Sequence, residues 1–522
     1  MGYNSYNDVA CSPNSTWMET TIQAVADKGF SKLGYKFFQI DCGWQGYERQ
    51  ENGSLTYDAT NFPDGIKPLS EMAIKLGLRW AMYTDQGVNS CDTNTVKLRP
   101  GSLGYEIEDA LQFAGWNAEL IKVDNCYITA GQNAPKDPRT DFPSRYGNMS
   151  RALQEVGIKG MLVCEWGTPY INASYGLQGP SAWTPPLSTS FRVSDDIAQG
   201  FANVLRITNE AIHVNLRSLS GPGHFADMDL LEVGNPGLTL AEQQTHFAIW
   251  AAFKSALMIS TNVPDMSQDT YNILSNKNLI AINQDSLGQP VKLVQRFTAD
   301  HDLYSGHLSN GDLIVLAFDQ SNATRSLTID FSSLGIRTAD VHDQWTNIIQ
   351  KGVSSYCQSI PAHGNVILRL SNIKPTSSPN PKYTYHAANT ATLSGGANVQ
   401  DCPGCSTGRK VGNLGSGAAA TLSGIHATSE TTDVLFDYIN CEIGYLSDQG
   451  KNVRGASISV NGGAAQVVEF PLSGYEWTRD VLQAYKVRLS GFKVGDGNTI
   501  AISAAPSISA YAPDLDRVGV LA

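Results

Sequence analysis

The first 290 residues repeat one pattern, in which a short apolar run ends at a polar side chain and a loop and a helical stretch follow. Such runs are typical of buried strands, and their spacing of roughly 30 to 45 residues suits strand–helix units. Alternating strands and helices predict a parallel sheet, and about seven or eight units predict a closed (β/α)8 barrel. The clearest runs are residues 37–40, 78–83, 120–123, 160–164, 191–193 and 224–226.

The stretches between these runs carry helix signals. Thr16 and Glu19 have the spacing of a capping box, which predicts a helix that begins there and continues to about Lys28. Thr239 and Glu242 repeat this signal before a helix expected over residues 243–257, and another helix is expected over residues 103–116.

Carboxylates stand at the ends of these predicted strands. The carboxyl ends of barrel strands meet at one rim, where functional side chains lie. Carboxylates at six successive strand ends therefore indicate a catalytic rim, since turn chemistry alone rarely produces such a series. They are Asp41, Asp85, Asp124, Glu165, the pair Asp195 and Asp196, and the pair Asp227 and Asp229.

Two carboxylates that face each other across a rim are the apparatus of glycoside hydrolysis. Asp124 is one candidate, and its partner is Asp195 or Asp196. Arg192 precedes Asp196 by four residues, where its guanidinium can bind a sugar hydroxyl and hold a carboxylate. Lys122 lies two residues before Asp124, on the same face of the strand, and its charge favours the ionised form of Asp124.

Aromatic residues near these positions can stack on the apolar face of a sugar. About half of them are expected to pack in the barrel core instead, because aromatic side chains dominate cores as well as interfaces. They are Tyr3, Tyr6, Trp44, Tyr83, Trp166 and Tyr170.

The pattern changes after the barrel. Residues 291–372 have short alternating runs that predict an antiparallel β-sandwich. Residues 373–383 are a Pro/Ser-rich linker, and Gly-rich strands resume over residues 384–522 as a C-terminal β-sandwich (jelly-roll) module. The expected organisation is therefore a catalytic barrel over residues 1–290, two β-sandwiches and a linker between them.

Composition narrows the partners. Hydrophobic residues make up 42% and charged residues 16%, a balance typical of globular enzymes. A net charge of -12 argues against nucleic acid or an anionic membrane as partner, and no apolar run reaches the roughly 18 residues of a transmembrane helix. No His-Glu-x-x-His motif is present, and Cys402 and Cys405 form a lone Cys-x-x-Cys, which suits a small disulfide loop. We therefore expect no metal or cofactor.

The chain has features of a secreted glycoprotein. Five Asn-x-Ser/Thr acceptors are present, at Asn14, Asn52, Asn148, Asn172 and Asn322. The first six residues are polar and are no signal peptide, which suggests an N-terminus that has been trimmed. Nine cysteines leave at least one without a partner in the chain.

Residues 1 to about 290 resemble glycoside hydrolase family 27, chiefly its α-galactosidases, in a fungal-looking version. The resemblance implies a (β/α)8 barrel followed by an antiparallel β domain. The matching stretches are residues 1–6, 38–41 with Trp44, 61–66, 76–83, 122–126, 164–167, 192–196, Asp229 with 233–235, and 283–285.

The resemblance also implies roles. It implies an exo-acting, retaining double displacement on terminal α-D-galactosyl residues of an oligosaccharide or polysaccharide. Asp124 falls on the nucleophile and Asp196, rather than Asp195, on the acid/base. Cys91 and Cys126 fall on a family disulfide beside the active site. The sugar-contacting positions are Tyr6, where many members carry tryptophan, and Asp41, Tyr83, Lys122, Glu165, Arg192 and Asp229.

One departure concerns the sugar. Many α-galactosidases have Asp-Asp-Cys-Trp after the second strand, whereas this chain has Asp41, Cys42, Gly43 and Trp44. The missing second carboxylate keeps β-L-arabinopyranosidase as an alternative, because β-L-arabinopyranose is the same ring without the hydroxymethyl group. A non-catalytic carbohydrate-binding protein is disfavoured, since both catalytic carboxylates are present. The shift of the cysteine also leaves a Cys11–Cys42 disulfide open, because neighbouring strand residues face opposite ways.

Residues 385–521 resemble a family 35 carbohydrate-binding module. Such modules usually begin with Tyr-Glu-Ala-Glu, whereas residues 385–388 read Tyr-His-Ala-Ala, so calcium is not predicted. Sugar binding and a purely structural role are both open. The stretches that carry the resemblance are residues 391–397, 402–408, 410–412, 459–463 and 513–518.

Overall fold

The computed structural model describes residues 1–92, 96–128, 141–298, 300–376, 381–443 and 451–522. The chain forms two compact units. The first contains Met1–Ile207 and Leu219–Pro290, and the second contains Thr208–Ser218 and the described residues from Val291 onward.

The first unit contains a central parallel sheet and two antiparallel strand pairs. The strands are β1 (Gly2–Asn4), β2 (Phe37–Gln39), β3 (Gln45–Arg49), β4 (Leu55–Tyr57), β5 (Arg79–Asp85), β6 (Ala118–Asp124), β7 (Gly160–Val163), β8 (Tyr170–Asn172), β9 (Gly176–Gln178), β10 (Ser190–Arg192), β11 (Phe225–Asp227) and β12 (Met258–Ile259). Eight of them form one sheet in the order β11-β10-β7-β6-β5-β2-β1-β12. A parallel bridge between Leu231 and Ile259 joins its two ends. The predicted (β/α)8 barrel is therefore confirmed.

Helices follow the strands. They are α1 (Tyr6–Val9), α2 (Ser15–Asp27), α3 (Phe30–Leu33), α4 (Lys67–Lys75), α5 (Glu106–Gly115), α6 (Phe142–Glu155), α7 (Pro180–Trp183), α8 (Phe201–Leu216), α9 (Leu240–Ala252), α10 (Gln268–Leu274) and α11 (Lys277–Asn283). Within the described ranges, none of these helices combines the length and the apolar character needed to cross a membrane.

Two helix starts test the capping predictions. Thr239 and Glu242 form the predicted capping box of α9, although the helix ends at Ala252, before the expected end at residue 257. The capping box predicted at Thr16 is wrong. Asn14 caps α2 instead, because it is extended and its side chain accepts a hydrogen bond from the backbone N–H of Trp17 at 3.0 Å.

The strand predictions fare better. Each of the six apolar runs overlaps a barrel strand, because their side chains pack in the core. In β5, for example, every residue except Arg79 is buried, and the Trp80 ring stacks on Phe38 with ring centroids 6.0 Å apart. The remaining strands of the sheet, β1 and β12, have three and two residues and carry no periodic signal that the sequence reveals.

The second unit begins with an antiparallel sandwich, as predicted. Its strands are β13 (Lys292–Phe297), β14 (His301–His307), β15 (Leu313–Asp319), β16 (Arg325–Asp330), β17 (Ile336–Asp343), β18 (Ile349–Val353), β19 (Ser355–Ile360) and β20 (Asn365–Pro375). A six-stranded sheet has the order β13-β14-β15-β20-β17-β18, and β16 pairs with β19. In the predicted linker, residues 377–380 lie outside the described residues.

The second unit continues with another sandwich of antiparallel sheets. Its strands are β21 (Tyr383–Ala387), β22 (Thr392–Ser394), β23 (Asn398–Asp401), β24 (Arg409–Gly412), β25 (Ala419–Ala427), β26 (Thr431–Ile439), β27 (Val453–Val460), β28 (Gln466–Pro471), β29 (Leu482–Ser490), β30 (Gly495–Ala504) and β31 (Asp514–Leu521). One sheet has the order β23-β24-β31-β26-β29 with β21 on β31, and the other is β22-β25-β30-β27-β28. The apolar faces of these strands form one core.

Candidate active site

Asp124 ends β6 at the carboxyl rim of the barrel, and its side chain is held from two sides. One carboxylate oxygen, Oδ2, accepts a hydrogen bond from the hydroxyl of Tyr83 at 3.0 Å. The other, Oδ1, accepts one from the indole N–H of Trp166 at 2.7 Å. Asp124 is only 5% exposed. Its carboxylate is therefore fixed in orientation, as a nucleophile requires.

Lys122 points from the same strand toward a neighbouring carboxylate. Its Nζ lies 3.0 Å from Oδ2 of Asp41, and it lies 5.3 Å and 5.6 Å from the ring centroids of Tyr83 and Tyr6. The same oxygen of Asp41 accepts a hydrogen bond from the side-chain amide of Asn4 at 2.7 Å. The structure thus brings Lys122, Asp41, Tyr83 and Tyr6 together beside Asp124. Asn4 is not among the predicted site residues, because a polar residue at the end of so short a strand carries no distinctive signal.

The ionisation of Asp124 depends on opposing effects. Burial raises the pKa of Asp124 above its ordinary value, Lys122 lowers it, and Asp196 raises it. Lys122 acts in the predicted direction, but burial outweighs it. Asp196 is thus a like charge that opposes the ionisation of Asp124.

Asp196 and Asp195 have different environments. The side chain of Asp196 is 42% exposed, and its Oδ1 lies 2.7 Å from a guanidinium nitrogen of Arg192. Asp195 is 8% exposed and accepts a hydrogen bond from the backbone N–H of Asp196 at 2.8 Å. Burial raises the pKa of Asp195 to about 6. Asp196 is therefore the member of the pair that substrate and solvent can reach.

The guanidinium of Arg192 contacts three carboxylates. Arg192 ends β10 and is 1% exposed. Besides Asp196, its guanidinium contacts Oδ1 of Asp229 at 2.8 Å and Oδ2 of Asp227 at 3.6 Å. Asp229 has a φ of +76°, and its Oδ2 accepts a hydrogen bond from the backbone N–H of Ile197 at 2.7 Å. Burial raises the pKa of Asp229 to about 6. Arg192 thus orients the acidic groups of this side of the rim.

Glu165 and Trp166 follow β7. Glu165 is fully buried, and this burial raises its pKa well above the ordinary range. Trp166 has a φ of +63°, a left-handed conformation that is rare for a bulky residue and indicates local strain at a functional site. Its indole contact with Asp124 was not predicted as a site contact. The available signal was its position directly after a strand-end carboxylate.

A cavity of about 190 Å³ lies over Asp124. Tyr6, Asp41, Tyr83, Lys122, Asp124 and Asp196 are among the residues that line it, together with Cys11, Cys42, Cys91, Asp92, Cys126, Tyr127 and Trp166. Arg192, Asp229 and Glu165 are not part of this lining as far as the chain is described. Arg192 reaches the cavity through its contact with Asp196, and Asp229 contacts Arg192 in turn.

A larger cavity of about 830 Å³ lies at the other end of the strands. Its lining includes Phe37, Arg79, Gly160, Ser190 and Met258, each of which begins a barrel strand. Functional residues of (β/α)8 barrels lie at the carboxyl ends of the strands, so the smaller cavity is the candidate active site.

Three disulfides are present. Cys11–Cys42 and Cys91–Cys126 both border the small cavity, and Cys402–Cys405 belongs to the second unit. Strand geometry alone leaves a Cys11–Cys42 disulfide open, but β2 ends at Gln39, before Cys42, so the two side chains can pair. The chain turns there through Gly43 at a φ of +89°, where a Cβ would lie 2.1 Å from the carbonyl oxygen of Cys11.

Asp85 is a strand-end carboxylate beneath the second of these disulfides. Its Oδ2 accepts a hydrogen bond from the backbone N–H of Cys126 at 2.8 Å. Ligand atoms of Asp85, Cys91 and Cys126 lie within 4.8 Å of one another. Because the two cysteines are paired in a disulfide, they offer no thiolates for a metal.

Comparisons with known proteins show the family of the chain. A family model described as Alpha galactosidase A matches residues 5–285, and one described as Alpha galactosidase C-terminal beta sandwich domain matches residues 298–370. The chain is 31% identical to the probable alpha-galactosidase D of Aspergillus fumigatus, across 91% of this chain and 86% of the relative. It is 35% identical to the alpha-galactosidase D of Emericella nidulans, across 71% of this chain and 55% of the relative.

Solved structures give the same picture. The crystal structure of alpha-galactosidase I from Mortierella vinacea superposes with a TM-score of 0.65 at 30% identity, and covers 72% of this chain and 98% of that protein. A GH27 β-L-arabinopyranosidase from Geobacillus stearothermophilus, at 18% identity and a TM-score of 0.60, shares the fold. The likeness of residues 385–521 to a family 35 module stays a prediction. The chain belongs to the alpha galactosidase A family, within glycoside hydrolase family 27.

Proposed function

We propose that this protein is a retaining exo-α-galactosidase that hydrolyses terminal α-D-galactosyl residues of oligosaccharides or polysaccharides. One observation carries the proposal. A small cavity in a chain of this family is shared by a fixed, buried carboxylate, Asp124, and an accessible one, Asp196. Two carboxylates with such different environments suit two different roles.

The reaction proceeds in two displacements. In the first, a carboxylate oxygen of Asp124 attacks the anomeric carbon while Asp196 protonates the glycosidic oxygen, so that the leaving group departs and a covalent galactosyl-enzyme forms. In the second, Asp196 accepts a proton from water, the water oxygen attacks the anomeric carbon, and Asp124 leaves as a carboxylate. The hydrogen bonds from Tyr83 and Trp166 keep Asp124 oriented for both steps.

The cavity supports exo action. At about 190 Å³ it is smaller than pockets for drug-sized ligands, which span roughly 300–1,000 Å³, and it suits one sugar ring. Lys122 supplies donors and Asp41 supplies acceptors at its wall, and the rings of Tyr6 and Tyr83 provide apolar surface.

β-L-Arabinopyranosidase is the second candidate activity. The disulfide of Cys42 lines the cavity at the position where many α-galactosidases have a second aspartate. A disulfide there offers no carboxylate oxygen to accept a hydrogen bond from a sugar 6-hydroxyl, which favours a ring without the hydroxymethyl group. Measured values of kcat/KM for an aryl α-D-galactoside and an aryl β-L-arabinopyranoside decide between the two activities. A clear preference for the pentoside would refute the proposed galactose specificity but leave the proposed mechanism unchanged.

Alanine variants test the catalytic roles. Asp124→Ala and Asp196→Ala are each expected to reduce kcat/KM by orders of magnitude. An aryl galactoside with an acidic phenol needs little protonation on leaving, so it should restore the first step in Asp196→Ala but not in Asp124→Ala. Asp195→Ala is the matched control and should lose far less. Wild-type turnover in either alanine variant would refute the assignment.

We also propose an extracellular location. The three disulfides support it, because disulfides persist in oxidising compartments, and the five acceptor asparagines fit the same setting. Endoglycosidase treatment of the protein secreted by eukaryotic cells should reduce its mass, because attached glycans would be removed. An unchanged mass would refute the prediction that the protein is a glycoprotein.

A further inference from the structure

The barrel has a weakly paired junction where the two ends of its sheet, at β11 and β12, meet. Across the described residues, the segment after β11 meets β12 through one bridge, Leu231 to Ile259, supported by a backbone hydrogen bond from Leu231 to Met258 at 2.9 Å. By contrast, β5 and β6 pair at six positions. Side chains must therefore supply much of the connection at this part of the rim.

Glu232 supplies that connection. It is 3% exposed, and its Oε1 accepts a hydrogen bond from the side-chain amide of Asn7 at 2.6 Å. Its Oε2 accepts one from the side-chain amide of Asn235 at 2.9 Å, and the same amide donates to the carbonyl of Ser260 at 3.0 Å. The hydroxyl of Ser260 accepts from the backbone N–H of Asn7 at 2.9 Å. One carboxylate thus joins the segments after β1, β11 and β12.

One end of this connection adjoins the cavity lining, and the other leads to the cavity through Arg192. Asn7 follows Tyr6, which lines the cavity. The centroid of the Tyr6 ring lies 5.6 Å from Nζ of Lys122. Glu232 follows Asp229 by three residues, and Asp229 is paired with Arg192, the guanidinium that holds Asp196. A change in the distance between the two segments would therefore move Tyr6, and with it one wall of the sugar-binding cavity.

This position suits a side chain that offers two hydrogen-bond acceptors. Both asparagine amides donate, so an acceptor with two free oxygens satisfies them together. Burial raises the pKa of Glu232 to about 7, Asp229 also raises it, and the amides of Asn235 and Asn7 lower it. His246 accepts a hydrogen bond from the backbone N–H of Glu232, and burial lowers the pKa of this imidazole to about 3, so it adds no charge at neutral pH.

We propose that Glu232 is a positioning residue that holds the Tyr6 segment against the Asp229 segment and so sets the width of the sugar-binding cavity. The inference rests on the proposed galactosidase function. Glu232 touches no reacting atom in this role; it acts through Tyr6 and Asp229. Its removal should weaken sugar binding in the ground state and the transition state alike, which raises KM and leaves kcat nearly unchanged.

The test compares Glu232→Ala and Glu232→Gln with the wild-type full chain on an aryl α-D-galactoside, together with inhibition by free galactose. Glu232→Ala should raise KM and the galactose inhibition constant by about tenfold, with kcat within about twofold. Glu232→Gln keeps one acceptor of two and should fall between alanine and wild type.

A buried carboxyl elsewhere in the barrel serves as the control. Asp109 is fully buried, pairs with Arg49 at 2.6 Å and takes no part in the cavity lining. Asp109→Asn should lower the melting temperature and leave KM unchanged. If either Glu232 variant had wild-type KM and galactose inhibition, the inference would be wrong, whatever its melting temperature. An inactive wild-type enzyme would instead refute the proposed function.

Discussion

At the scale of single residues, the site shows how burial competes with charge. Lys122 lies on the face of β6 that carries Asp124, as the two-residue spacing predicts, but its closest partner is Asp41 at 3.0 Å. Lys122 therefore stabilises the ionised Asp124 only against a larger desolvation cost. Asp124 must be ionised to attack, so activity is lost as the pH falls through its pKa.

Lys122→Met should move the acid limb of the pH profile of kcat/KM to higher pH. Removal of the cation leaves burial, Asp196 and Asp41 to raise the pKa of Asp124 further, so the carboxylate protonates earlier as the pH falls. The measurement is kcat/KM for an aryl galactoside across the acidic range. Lys159→Met, at an exposed lysine of the same unit, is the control. An acid limb that stays in place in Lys122→Met contradicts the prediction.

The sequence predicted the residues of the site better than their contacts. Asp124, Lys122 and Arg192 follow from strand ends and spacing. Spacing leaves Asp195 and Asp196 as alternatives, and only the family resemblance favours Asp196. The indole of Trp166 on Asp124 does not, because it depends on a left-handed backbone that surrounding structure imposes. The guanidinium of Arg192 likewise contacts three carboxylates. These contacts could not be predicted, because they form only when the segments after β10 and β11 fold together.

At the scale of elements, six of the eight strands in the barrel sheet were predictable from apolar runs, and their bounds agree with those runs to within two residues. Buried parallel strands are near-continuous apolar runs, so β5 and β6 are evident in the sequence. β1 and β12 are too short for any periodic signal and owe their pairing to the closed ring. The helix start near Thr16 was misplaced because Asn14, Ser15 and Thr16 are all competent caps, and the backbone decides among them.

Asn14→Ala should destabilise α2 by about 1 kcal/mol, since the N–H of Trp17 loses its acceptor. Thr16→Ala is a close control, because Thr16 is exposed and both changes abolish the same Asn-Ser-Thr acceptor site. Thermal unfolding should show a lower midpoint for Asn14→Ala, with Thr16→Ala near wild type. If both variants had the same midpoint below that of wild type, the loss of a glycan, rather than the loss of the helix cap, would explain the destabilisation.

At the scale of the whole molecule, stability should depend on pH through buried acids. Asp85 and Glu165 are fully buried, and burial raises both pKa values well above the ordinary 3.8 and 4.5. Above those ordinary values the unfolded chain releases protons that the folded protein keeps. The folded state therefore loses stability from this source as the pH rises toward the raised pKa values. His246 acts in the opposite sense, because burial lowers its pKa to about 3.

The paired variant Asp85→Asn with Glu165→Gln isolates the contribution of the acids from that of the histidine. Neutral amides of the same shape remove the titration, so the melting temperature of the variant should fall less than that of wild type as the pH rises from about 5 to 9. Asp64→Asn with Glu71→Gln, at exposed positions of the same unit, is the matched control and should follow wild type. Calorimetry at several pH values measures the slopes. Parallel slopes for wild type and the buried pair would show that these two carboxyls are ionised in the folded protein.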